Sequence, residues 1–234
     1  MDKIVTAADL IRGNSYPGRG IVVGLSEDGE KALIAYFIMG RSENSRNRIL
    51  ALEGDTLRTR PFDESKVKDP SLIIYNARRR VEDKLILTNG DQTDTAADAI
   101  LAGGDFFSSL RTREFEPDAP NYTPRISAFI DFGAKAILMS ILRRSAAGEC
   151  ERGEYEYPFT AGEGRMMHTY ESDGSPLPSF VGAPRKVAVC GSLDDFAASL
   201  WDALDAENKI SLFVRSVDRF SGETETRLFN KNAR

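Results

Sequence analysis

Two apolar stretches, Ile21-Val22-Val23-Gly24-Leu25 and Ala32-Leu33-Ile34-Ala35-Tyr36-Phe37-Ile38, flank the turn-rich Ser26-Glu27-Asp28-Gly29-Glu30 and predict a β-hairpin. Shorter extended pieces follow at residues 48–52, 56–60, 72–75 and 84–88, separated by Gly-Asp and Asp-Pro punctuation. Thr93-Asp94-Thr95 then opens a segment with Ala96, Ala97, Ile100 and Leu101 at helical spacing, which predicts a capped helix over 93–101. A second helix is expected over 105–113. Strands are predicted at 125–130 and 136–142, turning at Asp131-Phe132-Gly133-Ala134, and another at 186–189. Ser192-Leu193-Asp194-Asp195 starts an amphipathic helix carrying Phe196, Leu200, Trp201 and Leu204, with Trp201 expected in the core. The tail returns to an extended pattern at 210–214 and 223–229. Hairpins in series, broken by separate helical blocks, favour an α+β fold of two packed antiparallel sheets flanked by helices over a βαβ parallel sheet. Residues 1–234 show no repeat or low-complexity linker and are expected to form a single domain.

Composition narrows the function classes. The chain is 41% hydrophobic and 29% charged, with a net charge of -5, so it has no general excess of cations for a nucleic-acid backbone. Any anion handled here has to meet local positive charge. Cys150 and Cys190 make neither a disulfide framework nor a metal-binding spacing, which fits a cytoplasmic location. Met1-Asp2-Lys3-Ile4-Val5-Thr6 lacks the basic flank and apolar core of an export signal, and no apolar run approaches the roughly 20 residues needed to span a bilayer. His168 is the single histidine, so a site with several imidazole ligands is excluded, and no metal or cofactor is expected.

The candidate chemistry lies in four runs dense in arginine, asparagine and glycine. Tyr16-Pro17-Gly18-Arg19-Gly20 sets an arginine between two glycines, which lets backbone donors approach an anion closely; a plain turn entering a strand would look the same. Residues 40–48 carry Arg41, Arg46 and Arg48 with Ser42, Asn44, Ser45 and Asn47, a set of forked and neutral donors suited to phosphate. The bland alternative there is a solvated hairpin turn. Thr88-Asn89-Gly90-Asp91-Gln92-Thr93-Asp94 is accounted for as a turn plus helix start, and serves a ligand if the free N–H groups face one. Residues 162–170, containing Arg165 and His168, form the fourth run and read as a loop. Tyr75 follows Ile73-Ile74 and is a candidate proton donor or oxyanion stabiliser, against the commoner reading of a packed tyrosine. Glu116-Pro117-Asp118 offers a general base, and Arg125 a donor at a strand entrance.

Taken in order, Gly18-Arg19-Gly20, Tyr36 with residues 40–48, Tyr75-Asn76, Thr88-Asn89-Gly90 with Thr93-Asp94, and Thr123-Pro124-Arg125-Ile126 resemble the archaeal-type inosine monophosphate (IMP) cyclohydrolase family. The resemblance holds from about Tyr16 to Ile130. It implies a four-layer αββα sandwich similar to N-terminal-nucleophile (Ntn) hydrolases but without their self-processed nucleophile, and Met1-Asp2 offers no Cys, Ser or Thr in that place. It further implies closure of 5-formamidoimidazole-4-carboxamide ribonucleotide to IMP and water, with no cofactor and a small purine ribonucleotide as partner. On that resemblance the catalytic residues are Tyr75, Glu116 and Arg41, and the substrate is bound by Arg19, Arg46, Arg48, Asn89, Asp94, Arg125, Arg165 and His168. Gln92 stands where the family pattern leads one to expect histidine, with His168 as its stand-in from another segment. A homo-oligomer is left open. Two other readings stand beside it: a purine-nucleotide sensor on the same scaffold, and an amidohydrolase using Ser42 or Ser45 with His168 as base.

Overall fold

The computed structural model describes residues 5–67, 70 and 73–232. In chain order its elements are α1 (Ala7–Ile11), β1 (Arg19–Leu25), β2 (Lys31–Met39), α2 (Glu43–Arg46), β3 (Arg48–Glu53), β4 (Thr56–Pro61), β5 (Asn76–Val81) and β6 (Lys84–Thr88). Then come α3 (Gln92–Leu101), α4 (Phe106–Ser109), β7 (Arg125–Asp131), β8 (Ala136–Arg144), β9 (Cys150–Pro158), β10 (Glu163–His168), β11 (Arg185–Ala188), α5 (Leu193–Ala203), β12 (Lys209–Asp218) and β13 (Thr224–Asn230). The strands form two antiparallel sheets, one ordered β11-β10-β1-β2-β12-β13 and the other a meander of β3 through β9 in sequence order.

Strand periodicity explains the layering. Along β2, Ile34, Tyr36 and Ile38 face the second sheet, while Leu33, Ala35, Phe37 and Met39 face the opposite way. The first set joins Leu50, Leu57, Leu87, Ile126, Ala128 and Met139 in the core between the sheets. The second set packs under α1 and α5 through Ala7, Ile11, Phe196, Ala197 and Leu200. On the far face of the second sheet, Ile86 and Phe129 receive Ala96 and Ala97 of α3 and Phe106 of α4. Helices therefore cover both outer faces of a two-sheet sandwich, as the α+β reading anticipates.

Several local expectations need correction. Residues 162–170 are not a loop: β10 is an internal strand between β1 and β11. Gly164 there lies against Val23 O and Val189, so its small size serves strand packing, and the glycine-arginine composition conceals a buried strand. Of the stretch 72–75, Leu72 lies outside the described residues and Ile73 to Tyr75 are turn and irregular backbone. The strand begins at Asn76 and runs through Arg78-Arg79-Arg80, a charged triplet that hides it from a hydrophobic pattern. The 105–113 helix is one α-turn, Phe106–Ser109, continued by a 3-10 turn, Leu110–Thr112. β9 and α1 were not expected, although Glu154-Tyr155-Glu156-Tyr157 alternates with period two and Thr6 with Asp9 forms a capping box. Trp201 is half-buried rather than core, stacked on Phe229 of β13 at 5.5 Å.

One charged cluster ties the sheets together. Arg78 of β5 donates to Asp55 Oδ1 at 3.1 Å, and Arg215 of β12 binds the same carboxylate; both guanidiniums are buried. Burial alone would push the Asp55 carboxyl up, but hydrogen bonds and charge from the two arginines outweigh it and hold it below the ordinary value. A carboxyl depressed in the folded state stabilises the fold above its unfolded pKa of about 4 and loses that contribution as pH falls through the folded value. Asp55→Asn is expected to cost about 2 kcal/mol at pH 7, discounted from the fully buried case because Asp55 is half exposed. Urea melts at pH 7 and below pH 4 test this: the deficit should narrow in acid.

Candidate functional site

Strand ends from both sheets meet at one end of the sandwich. Arg19 opens β1, Gly40 and Arg41 follow β2, Arg48 opens β3, Thr123 precedes β7 and Tyr170 follows β10. They surround a cavity of about 190 Å³ lined by Tyr16, Arg19, Arg41, Ser42, Ser45, Arg48, Asp118, Asn121, Thr123, Tyr170 and Leu177.

Backbone constraints fix the arginine wall. Gly18 adopts φ +80, and a Cβ there would fall 2.2 Å from Thr169 Oγ1, so only glycine lets the chain turn into β1 at this place. Arg19 N then donates to Thr169 Oγ1 at 3.1 Å, and Thr169 N to Arg19 O at 2.9 Å. Arg48 is held by donation from Nε to Ser45 O at 2.8 Å and from Nη2 to Met39 O at 3.2 Å, and makes no ion pair among the described residues. Burial, with the neighbouring Arg19 charge, pulls its pKa below the ordinary guanidinium value. Arg41 lies over the Tyr16 ring at 4.8 Å, pairs with Asp173 and donates to Gly174 O at 3.0 Å. Ser42 caps α2 through a reciprocal bond with Ser45.

Under this wall lies a buried polar group. Arg19 Nη2 donates to Glu116 Oε2 at 3.3 Å, with both side chains almost wholly enclosed. Burial raises the Glu116 pKa above its ordinary value, with Arg19 and Arg125 pulling the other way. Tyr36 and Tyr75 share a hydroxyl–hydroxyl bond of 2.7 Å, and both phenols act electrostatically on Arg19. Arg19 Nε is buried without a partner among the described residues. On the opposite wall, Thr123 Oγ1 lies 2.5 Å from the Tyr170 hydroxyl and also binds Asp118. Burial pushes the Tyr170 phenol well up, so it stays protonated at neutral pH.

The structure thus brings Arg19, Arg41, Arg48, Tyr75 and Glu116 to one end of the sandwich, the last two beneath the cavity rather than in its lining. Arg125 lies near enough to act on Glu116, while its Nη1 donates to Asp91 and Gln92 at 2.7 Å. Asn89 is spent on the backbone, accepting from Ile126 N and donating to Pro124 O. The remaining candidates lie elsewhere. Arg46 turns to Gly40 O and Asn208, Asp94 binds Arg79 and Asn76, and Arg165 packs over Tyr157 at 4.1 Å. His168 is buried against Phe180, its Nδ1–H donating to Tyr170 O at 2.8 Å, and burial lowers its pKa so that it is neutral at pH 7. Gln92 is buried, donating to Asn89 Oδ1 at 3.0 Å. Tyr36, Asp118, Thr123 and Tyr170 stand within the motifs quoted from sequence but were given no individual role there; each carries a hydroxyl or carboxylate whose role depends on distant partners. Ser42 and Ser45 bind each other and have no imidazole beside them, which leaves the amidohydrolase reading without its base.

Fold and site together define an α+β sandwich protein with an arginine-walled cavity at the meeting of two sheet ends. The chain belongs to the family described as IMP cyclohydrolase-like protein, whose profile matches residues 16–222. It is 35% identical over 120 residues to an IMP cyclohydrolase of Methanopyrus kandleri, covering 50% of this chain and 59% of that protein. To that of Methanococcus aeolicus it is 33% identical, covering 50% and 58%. To that of Methanothrix thermoacetophila it is 30% identical over 172 residues, 72% of this chain and 80% of the relative. The match thus spans less than two thirds of the first two relatives.

Removing one member of the buried pair leaves the other charge uncompensated. Glu116→Ala is expected to lower stability by about 3 kcal/mol, and Glu116→Gln, which keeps an acceptor for Arg19, by about half of that. Equal losses in urea denaturation would show that Arg19 gains nothing from the acceptor.

Proposed function

We propose that this protein closes the ring of 5-formamidoimidazole-4-carboxamide ribonucleotide, giving IMP and water. The observation that carries this reading is the convergence of Arg19, Arg41 and Arg48 on one cavity, with Arg19 paired to buried Glu116 and close enough to feel the buried Tyr75 phenol. Family membership supports the same reaction, because the relatives named above are IMP cyclohydrolases.

In this proposal Arg41 and Arg48 take the phosphate, with the Ser42 and Ser45 hydroxyls beside them. Phosphate oxygens displace Asp173 from Arg41, an exposed pair that costs little to break. The carboxamide nitrogen then attacks the formyl carbon of the same molecule, so the enzyme supplies orientation and charge placement rather than a covalent intermediate. A C–N bond forms, the carboxamide nitrogen gives up one proton, and the formyl oxygen becomes a hydroxyl. That hydroxyl leaves as water with a proton from the former formamido nitrogen, which completes the C=N bond of the ring. Glu116, whose raised pKa suits proton exchange, is the acid/base group, and Tyr75 donates to the developing oxyanion. Arg19 holds the Glu116 carboxylate and adds positive charge beside that oxygen.

The purine-nucleotide sensor reading draws on one feature, the near-complete burial of Tyr75 and Glu116 behind the cavity lining. Turnover decides between the two. Purified protein given the formamido ribonucleotide should form IMP, followed by its ultraviolet spectrum. Tyr75→Phe and Glu116→Gln should each lower kcat about 100-fold while IMP binding changes little. Binding of IMP with no turnover in the unaltered protein favours the sensor. Arg41→Ala should raise KM about tenfold with little change in Tm, because the side chain is partly exposed and its ion pair with Asp173 is exposed as well. An unchanged KM would remove Arg41 from the phosphate site.

A further inference from the structure

Tyr36 sits in the middle of β2, opposite Ile21 of β1 and Phe213 of β12, with its ring fully buried between the sheets. Its neighbours on that face, Ile34 and Ile38, are apolar, and a phenylalanine would fill the same space without bringing a hydroxyl into the core. Among the described residues the hydroxyl has one hydrogen-bond partner, Tyr75 Oη at 2.7 Å. Either hydroxyl can be the donor in this bond, and whichever donates leaves the other with a spare proton. Tyr75 is the less completely buried of the two, 5% exposed against 0% for Tyr36, so its proton is the one nearer a way out when Tyr36 donates.

We propose that Tyr36 is a positioning residue for the ring closure: it donates its proton to Tyr75 Oη, fixes that phenol, and leaves the Tyr75 proton to the reacting formyl oxygen. The inference rests on the function proposed above and deepens it by naming what orients its oxyanion donor. Burial and the neighbouring Tyr75 keep the Tyr36 phenol well above its ordinary pKa, so it remains a donor throughout the neutral range. Arg19 acts on both phenols, which puts the pair beside the buried ion pair rather than elsewhere in the core.

The test is a double-mutant cycle in steady-state ring closure, with Tyr36→Phe, Tyr75→Phe and the double variant. Tyr36→Phe should lower kcat about tenfold, the worth of one oriented hydrogen bond, with KM within about twofold. In the Tyr75→Phe background the same change should have no further effect, because the hydroxyl has nothing left to orient. A tenfold loss in both backgrounds, or an unchanged kcat for Tyr36→Phe alone, overturns the inference while leaving the ring-closure reading intact. Absence of IMP formation by the unaltered protein overturns the ring-closure reading itself. Should Tyr36→Phe not fold, 4-aminophenylalanine at position 36 keeps an N–H donor on a ring of the same shape. It should keep kcat within about threefold of the unaltered protein, and a larger loss counts against a donor role.

Discussion

The ion pair between Arg19 and Glu116 is the constraint on which the site depends. A guanidinium and a carboxylate closed off from water each carry a desolvation penalty of several kcal/mol, and their attraction offsets it only with good geometry and satisfied neighbours. Here the geometry is a single contact of 3.3 Å, and Arg19 Nε is left without a partner. Buried ion pairs are often no more stable than apolar side chains of the same volume, so stability alone does not account for this one. It joins the first residue of β1 to the segment before β7, a contact between ends of the two sheets beside the cavity.

The same pair decides which guanidinium is left without a carboxylate. Glu116 pairs with Arg19 and the exposed Asp173 with Arg41, while Arg48 is held by carbonyl oxygens. In a chain whose net charge is -5, Arg48 is thus the cavity arginine with no ion pair among the described residues, and Asp118 also stands in the lining. Burial, and after it the nearby Arg19 charge, lowers the pKa of Arg48. In the ring-closure reading a bound phosphate dianion offsets that repulsion.

Much of the sandwich was legible from periodicity alone. The hairpin of β1 and β2, the strand β6 over residues 84–88 and the Ser192-capped helix stand where alternating and helical spacings placed them. Errors arose where polar composition masked a strand, as with Arg78-Arg79-Arg80 in β5 and Gly164-Arg165 in β10, because their burial comes from partners far along the chain. The site followed the same rule. Arg19, Arg41, Arg48, Tyr75 and Glu116 were assigned by their places in the motifs that resemble the family, and the structure brings these five together at one end of the sandwich. Arg46 could not be separated from Arg48 by sequence, since two residues of spacing decide whether a guanidinium turns inward to Met39 O or outward to Asn208. Tyr36 looked like one more apolar position of β2, and its hydroxyl acquires meaning only through Tyr75, 39 residues away.

The two cavity arginines that Glu116 does not hold differ in how they are placed. Arg48 is fixed by two backbone carbonyls inside the protein, so its fork is prearranged and loses little entropy on binding. Arg41 is half in solvent, and its carboxylate partner, Asp173, belongs to the segment that also places Leu177 in the cavity. Asn121 Oδ1 accepts from Leu177 N at 3.1 Å, and both residues line the cavity. In the ring-closure reading the exposed Arg41–Asp173 pair is the contact a ligand breaks at least cost, while Arg48 offers its fork as it already stands.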